Sequence, residues 1–473
     1  MRYKTVIGLE IHAQLLTESK AFCTCRNDSS ETEPNTNICP VCTAHPGTLP
    51  VLNGKMIGLS VKAALALKCS INSISNFDRK NYFYPDMPKG YQITQYFHPI
   101  AENGKIEIIS NRRKKMVRIR RIHMEEDSAK LIHEDDRTLV DFNRSGIPLI
   151  EIVTEPDMNS AEEAVMFLEE LRNILRCIKV CDGNLENGSM RCDVNISVMD
   201  TQTGISTNRV EIKNLNSFRN VQRALRYEEN VHQNLLMGGG KGFQSTKSWD
   251  EKRRITMVMR DKETEMDYRY FPEPDLPLVE ILETEIERLQ KLIPELPSEK
   301  RLRFVEQYHL KFEEARILSI SPELAVFFEQ TASLAEASEV IKWILRDVKR
   351  YLNEKKINLS ETCLTPEKLA GLLDWIKTGR ISYHTAKEIL IALIETNRAS
   401  EEIISEYDFI QQNDPDILND FLEQIIEEHF EEYEAYCLGK KELFNFFVGK
   451  MMGLTKGRTR PELIIKTIKN RLG

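Results

Sequence analysis

Glu10 and His12 stand two residues apart in the segment TVIGLEIHAQL at 5–15. A carboxylate and an imidazole at that spacing can serve one ion if both point the same way. The flanking residues supply that condition. Ile7, Leu9, Ile11, Ala13 and Leu15 alternate with Gly8, Glu10, His12 and Gln14. Period-two alternation predicts a half-buried strand, with Glu10 and His12 about 7 Å apart on its polar face. Three further segments repeat the device. In VRIRRIHMEEDSAK, Arg121, His123, Glu125 and Asp127 share a face. In SMRCDVNISV, apolar Met190, Cys192, Val194, Ile196 and Val198 alternate with Arg191, Asp193 and Asn195. In RVEIKNLNSF, Glu211 and Lys213 face away from Val210 and Ile212. Brought together in one sheet, these faces would form a cleft of carboxylates, imidazoles, amides and cations. Hard divalent ions want oxygen ligands, and Mg2+ is usually shared between carboxylates and phosphates. Arg and Lys on the same face suit phosphate oxygens. The chemistry that fits is phosphoryl transfer by positioning and electrostatics. A solvated antiparallel sheet face alternates in the same way, so periodicity alone leaves both readings open. The chain has no GxxxxGK[ST] loop and no GxGxxG turn, so a nucleotide would bind by another architecture.

A second constellation is made of cysteines. Cys23 and Cys25 form C-x-C, and after 13 intervening residues Cys39 and Cys42 form C-x-x-C. Two close pairs across a loop match a tetrahedral zinc site, each pair spanning one edge of the ion. Pro40 and Pro46 suit a knuckle-like loop. Four free thiols or a redox pair are the alternatives. If zinc is bound, its role is structural, because four thiolates leave no open position. Cys69, Cys177, Cys181, Cys192, Cys363 and Cys437 are scattered, which suits free thiols in a reducing compartment.

The elements that must position these residues belong to a long chain. At about 150 residues per domain, 473 residues predict three domains, with cores large enough to need no covalent staples. Apolar residues make up 41% and charged residues 29%, which excludes a membrane or a disordered class. No apolar stretch approaches a bilayer span, and MRYKTVIGLE enters a strand with no signal-peptide pattern, so a cytoplasmic protein is expected. The net charge of −8 gives no bulk attraction to nucleic acid, so such contacts would need local patches. Arg112, Arg113, Lys114, Lys115, Arg118, Arg120 and Arg121 form one patch. Lys450, Lys456, Arg458, Arg460, Lys466, Lys469 and Arg471 form another, after an acidic stretch from Glu401 to Glu434. Either is also what a solvated face looks like.

Residues 56–68 predict an apolar helix. Ser160 with Glu163 predicts a capping box before a helix carrying Val165, Leu168, Leu171, Leu175 and Ile178 at helical spacing. Pro294 and Pro297 mark a linker at 293–298. Beyond it the pattern is helical, with Thr365 and Pro366 as a helix start. The expected organisation is an α+β domain over 1–293 with a knuckle near 23–42, a helical domain over 299–400 and a helical tail over 401–473.

At these residues the chain resembles the family of B subunits of the aspartyl/glutamyl-tRNA amidotransferases. The resemblance is carried by VIGLEIHAQL at 6–15, FDRKNYFYPDMPKGYQITQY at 77–96, RIHMEED at 121–127 and DFNRSGIPLIEIVTEPDM at 141–158. GSMRCDVNIS at 188–197, VEIKNLNSFRN at 210–220 and DYRYFPEPDL at 267–276 continue it, with weaker matches at ISYHTAK (381–387) and FFVGKMM (446–452). It implies a largely antiparallel, glutamine-synthetase-like cradle followed by helical domains that bind tRNA. It implies a protein that uses ATP and Mg2+ to phosphorylate the side-chain carboxylate of mischarged Glu-tRNA(Gln) or Asp-tRNA(Asn). Ammonia from the A subunit, an amidase, then displaces phosphate, and the small C subunit helps hold the pair. The cognate aminoacyl-tRNA synthetase is a further partner of such complexes, and no membrane is involved. Carried over by motif, Glu10, His12 and Glu125 are Mg2+ ligands, with Glu186 and Glu211 as further candidates. Lys80, Asn81, Tyr82, Tyr84 and Lys89 would line the substrate and tunnel region, the tyrosines having aromatic packing as an alternative. Arg191 and Lys213 would meet phosphate oxygens.

The chain departs from the family pattern at Ser128 and Ala129, at Gln244-Ser245-Thr246 and at Thr207-Asn208-Arg209. None of these is a proposed ligand. Two other readings compete. A zinc-stabilised protein that only binds tRNA would need no catalytic cluster. The related archaeal Glu-specific branch carries an inserted domain, for which the passage from Pro274 to Pro297 leaves no room.

Overall fold

The structure, a computed structural model, describes residues 2–28, 33–110, 113–261, 268–399, 402–403, 415–455, 459 and 461–472. The chain divides into two compact units, Met1–Pro297 and Ser298–Gly473.

In chain order the strands of the first unit are β1 (Tyr3–Gln14), β2 (Ser70–Ile71), β3 (Ile74–Ser75), β4 (Asp78–Asn81), β5 (Tyr91–Thr94), β6 (Ala101–Ser110), β7 (Arg113–Glu126) and β8 (Lys130–His133). They continue with β9 (Thr138–Asp141), β10 (Pro148–Thr154), β11 (Met190–Asp200), β12 (Val210–Lys213), β13 (Ser245–Asp250), β14 (Ile255–Asp261), β15 (Phe271–Pro272) and β16 (Val279–Glu280). Nine of them form one sheet in the order β14-β13-β12-β11-β1-β10-β7-β6-β2. All neighbours are antiparallel except β12 and β13. A parallel pair needs a crossover, and the helix α3 (Phe218–Met237) supplies it. With the helical second unit, this is the largely antiparallel α+β architecture expected from the sequence.

One face of the sheet is apolar. Ile7, Leu9, Ile11 and Ala13 of β1 join Ile150 and Ile152 of β10, Ile122 and Met124 of β7, and Val194 and Ile196 of β11 in one buried cluster. Three helices cover it: α1 (Gly54–Ala66), α2 (Ala161–Cys177) and α3. The buried residues of α2 include Leu168, Leu171 and Leu175, as its helical spacing requires. Asn53 caps α1, so that helix starts two residues before the expected position. Ser160 caps α2 by accepting from the Glu163 amide at 3.2 Å. The Glu163 carboxylate instead holds the Asn159 amide at 2.7 Å and Lys115 at 2.6 Å, so the cap is braced one residue earlier than a capping box.

On β7 the alternation changes phase. Val117 and Ile119 are buried, then Ile122 and Met124, with a register shift against β10 at Val153/Thr154. This bulge turns Arg121, His123 and Glu125 onto the polar face. Smaller sheets stand apart from the large one: β15-β4-β5, β16-β3 and β8-β9.

Helices run from Pro297, the last residue of the first unit, to Glu395, and in the second unit they pack around Phe304, Phe328, Trp343, Leu372 and Leu390. Thr365 caps the helix Pro366–Thr378, with proline at its start and Gly379 closing it at φ 72°. A separate core joins Leu418, Leu422, Phe447, Met451, Ile464 and Ile468. No helix among the described residues is long and apolar enough to cross a membrane.

The first basic patch is a row of local ion pairs. Lys114 meets Glu107, Lys115 meets Glu163, Arg118 meets Asp157 and Arg120 meets Glu155. Arg121 donates to the Tyr96 carbonyl at 3.0 Å. Arg112 lies outside the described residues, as do Lys456, Arg458 and Arg460 of the second patch. Arg471 of that patch pairs with Glu423 at 2.6 Å.

Gly104 of β6 is buried where the sheet approaches the end of α1. A Cβ there would overlap Cys69 Sγ and lie 2.9 Å from the Leu67 carbonyl. Gly104→Ala should therefore cost about 1–3 kcal/mol, read as a lowered denaturation midpoint with an unchanged slope.

Candidate active site

Strand register builds the polar face. Between β1 and β10, His12 lies opposite Glu151 and Glu10 opposite Val153. Between β1 and β11, Glu10 lies opposite Asp193 and His12 opposite Arg191. Across β10 and β7, Glu151 faces His123 and Leu149 faces Glu125. Across β11 and β12, Asn195 faces Glu211. The result is one compact triple. His12 Nε2 is 3.2 Å from Glu125 and 3.4 Å from Glu151, and ligand atoms of the three lie within 4.8 Å of one another. His123 Nε2 backs the triple at 3.2 Å from Glu151. Glu125 is 3% exposed, so the cluster is a built interior feature and not a wet sheet face.

Its electrostatics follow from crowding. Burial alone would lower His12, but Glu151 and Glu125 outweigh it and hold the imidazolium well above its usual range. Burial alone would raise Glu151, but His123 and His12 hold it well below the carboxylate range. Glu10 is pushed up, first by burial and then by Glu151, Glu211 and Asp193. It accepts from Asn195 Nδ2 at 2.9 Å. Asn195 Oδ1 is buried with no hydrogen-bond partner. A pocket of carboxylates and imidazoles, with an orphaned amide oxygen beside it, offers the donor set of a hard metal ion.

The remaining expected residues are distributed as follows. Lys213 is ion-paired with Asp193 and lies 3.0 Å from Glu211. Arg191 is ion-paired with Asp127. Both stay about one-third exposed, at 33% and 35% of their side chains. Tyr82 is edge-on to Tyr268, and burial pushes its hydroxyl above the usual range. Lys80 lies over the Tyr268 ring at 4.8 Å, and Asn81 donates to the Arg269 carbonyl at 2.8 Å. Tyr84 is exposed. Lys89 is ion-paired with buried Glu126 and lines a cavity of about 180 Å³ together with Tyr91, His45, Cys23 and Cys42. Glu186 is not brought into the cluster. It lines a different cleft with Arg172, Arg176 and Asp182.

The four cysteines converge, with sulfurs within 4.8 Å of one another and no disulfide among them. Such a set could hold a metal ion. Cys42, favoured as thiolate by its hydrogen bond with Cys23, is lowered to about 5, while burial pushes Cys25 up to about 11. Lys20, fully buried, places its ammonium 3.8 Å from Cys42 Sγ and 3.0 Å from the Asn37 carbonyl. That ammonium offsets sulfur charge beside Cys42, the one buried member of the set.

Sequence reasoning does not single out Glu151, Tyr268, Tyr270 or Lys20. For Glu151 a signal is present: in PLIEIVT it is the single charge in an apolar strand. Tyr270 stacks on Tyr96 at 4.0 Å, and its hydroxyl is raised by burial and by Glu151. These rings wall the cluster from the side of β4, β5 and β15. The departures at Ser128 and Thr246 leave the triple intact. Thr246 Oγ1 donates to Glu211 at 3.1 Å, and the Ser128 amide donates to Asp127 at 2.9 Å.

A large antiparallel sheet with this acidic face, extended by helical domains, defines a class. Residues 5–287 match the GatB/GatE catalytic domain, and residues 326–472 match the GatB domain. The B subunit of the aspartyl/glutamyl-tRNA(Asn/Gln) amidotransferase of Thermotoga neapolitana is 48% identical over 100% of this chain and 99% of its own length. Its counterpart from Thermodesulfovibrio yellowstonii is 45% identical over 99% of each chain, and that from Clostridium tetani 44% identical over 99% and 98%. The chain belongs to the family of aspartyl/glutamyl-tRNA(Asn/Gln) amidotransferase B subunits.

If the triple holds a hard cation, Glu151→Gln should weaken Mn2+ binding to the full chain by on the order of tenfold or more. A Mn2+ titration followed by electron paramagnetic resonance measures it, with circular dichroism as the control for folding.

Proposed function

We propose that this chain activates the side-chain carboxylate of a mischarged Glu-tRNA(Gln) or Asp-tRNA(Asn) with ATP and Mg2+, for amidation by ammonia from a partner amidase. The observation that supports this reading is the triple of His12, Glu125 and Glu151, with Glu10 beside it, at the base of a tyrosine-walled face. Bound there, Mg2+ would supply charge that offsets the crowded oxygens of ATP and the substrate carboxylate. His12, Glu125 and Glu151 would hold the ion, Glu10 adding charge beside it. Arg191 and Lys213, partly exposed, present positive charge to phosphate oxygens. Tyr82, Tyr268 and Tyr270 keep water from the reacting carboxyl group.

The chemistry balances simply. A carboxylate oxygen of the substrate attacks the terminal phosphorus of ATP, and ADP leaves. Ammonia then adds to the acyl carbon, phosphate leaves with the activated oxygen, and a proton is lost. Activation is needed because an unmodified carboxylate has oxide as its leaving group. Lys80, Asn81 and Lys89 would line the path by which ammonia arrives. The helical unit and tail would hold tRNA by phosphate contacts and shape. The partners are the amidase and small subunits of the complex.

Reconstitution with those two subunits, ATP, Mg2+ and each mischarged tRNA should yield ATP-dependent amide. Glu125→Gln should lower that rate by on the order of 100-fold or more while tRNA affinity is retained. Product formation undiminished in Glu125→Gln would favour a non-catalytic, tRNA-binding role, and no product with either tRNA would sink the proposal.

Cys23, Cys25, Cys39 and Cys42 are proposed to bind structural zinc, since four sulfurs close the coordination shell. Metal analysis of the purified chain should find about one zinc. Cys42→Ser should lose it and lower the melting temperature. Less than about half an equivalent in the parent chain excludes the assignment.

A further inference from the structure

We propose that the cleft between the end of α2 and the start of α3 binds a phosphate group, gripped by Arg172 and Arg176. The cleft belongs to the helical layer on the apolar side of the sheet, so the inference is independent of the reading of the acidic face.

The cleft has a volume of about 450 Å³. Its walls are Arg172 and Arg176 of α2, Gly183 and Asn184 of the turn that follows, and Asn216 and Ser217 ahead of α3. The two arginines are four residues apart and so project from one side of α2. Among the described residues neither has a carboxylate partner, whereas Arg226 of α3 is paired with Glu162 at 2.6 Å. Arg172 Nε is buried with no hydrogen-bond partner, so the protein supplies no acceptor to it. The guanidinium lies over the Phe218 ring at 5.1 Å. Stacking uses the face of the group and leaves its edge N–H donors for an incoming oxygen. Like charges crowd here. Arg172 is lowered first by burial and then by Arg176, with Glu169 opposing. Beyond α2, Lys62 of α1 donates to the Ile178 carbonyl at 2.8 Å and is lowered by burial, then by Lys55 and Lys179. Positive charge thus gathers on this side of a chain whose net charge is −8.

Local structure sets the grip. Gly183 has φ 68°, and a Cβ there would overlap Arg172 Cγ and lie 3.4 Å from Arg176 Cδ. The turn therefore rests its backbone on both arginine stems and fixes where the guanidinium groups stand. On the other wall Ser217 caps α3, accepting from the Asn220 amide at 3.1 Å, and that helix start adds partial positive charge. The C-terminal dipole of α2 explains a cation at Arg176, but not Arg172 one turn earlier. Two acids also line the cleft. Asp182 is engaged in its own turn, where Oδ1 accepts from the Asn184 amide at 2.9 Å and hydrogen-bonds with the Ser189 hydroxyl. Glu186 is exposed and paired with neither arginine. An arginine fork matches phosphate oxygens. A docked protein would want an apolar centre, and here Leu185 is buried and Arg172 covers Phe218. The phosphate comes either as free orthophosphate or within an RNA backbone.

Orthophosphate binding to the full chain, followed by 31P line broadening, tests this. Arg172→Gln and Arg176→Gln should each weaken it by about tenfold or more, and Arg226→Gln should leave it unchanged. Arg176 is exposed, so its variant carries the test should Arg172→Gln not fold. A salt titration of tRNA affinity then distinguishes the sources. A slope shallower by about one in Arg176→Gln identifies an RNA backbone phosphate, and an unchanged slope identifies free phosphate. No orthophosphate binding by the parent chain, equal affinity in the folded arginine variants, or an equal loss in Arg226→Gln would overturn the site. Arginine variants that fail to assemble with the partner subunits, in a chain that binds no phosphate, would assign the cleft to carboxylates of a protein instead.

Discussion

The pairing of β1 with β10 on one side and β11 on the other is the constraint on which the site depends. It is in register across both edges of β1, so His12 meets Glu151 and Glu10 meets Asp193. A slip of one residue on either edge would exchange the two faces of the strand. It would put Ile7, Leu9 and Ile11 among the carboxylates and Glu10 and His12 into the core. The buried apolar face thus carries the energy that holds a crowded acidic face together. Ile7, Ile11, Ile150 and Ile152 are all fully buried, and each is worth about 1.5–3 kcal/mol when removed from water. Buried carboxylates gain little stability even when paired, so the core offsets a site that contributes little of its own.

The same balance explains the distribution of cations. The carboxylates on the face have positive groups beside them: histidines for Glu125 and Glu151, Lys213 for Asp193 on the next strand and Glu211 on its own, Arg191 for Asp127. Uncompensated, such a set could not remain ionised in a low-dielectric interior. The two kinds of compensation differ in exposure: His12 and His123 are one-quarter exposed or less, whereas Lys213 and Arg191 keep about a third of their side chains in solvent.

Much of this is legible in the alternation. The strand at 5–15, the faces of 190–198 and 210–213, the helix start at Thr365 and the linker near Pro297 all follow from local rules. The site is legible only to the extent that its residues lie on one strand. Glu10 and His12 are local neighbours, but the third partner of His12 is chosen by register, and that depends on which strand lies beside β1. Hence Glu151 escapes a reading of local pattern, and Glu10 stands next to the tight triple rather than within it. Likewise the phase change on β7 is a bulge against β10, invisible without the partner strand. Glu186 shows the converse error of motif reasoning. It is close in sequence to Arg191, yet the turn that carries it faces another cleft.

The two candidate metal sites are chemically insulated, although Cys42 and Glu126 line one cavity and Glu125 is the adjacent residue on β7. Alternation separates them first, because Glu126 points away from Glu125 and toward Lys89 and the Ile93 amide. Ligand softness separates them next. Four sulfurs favour zinc, and imidazole with carboxylates favours a harder ion, so neither set competes well for the other's metal. Each side then carries its own lysine, Lys20 against Cys42 and Lys89 against Glu126. With both ammonium groups held in place, the charge of the cysteine cluster is offset locally.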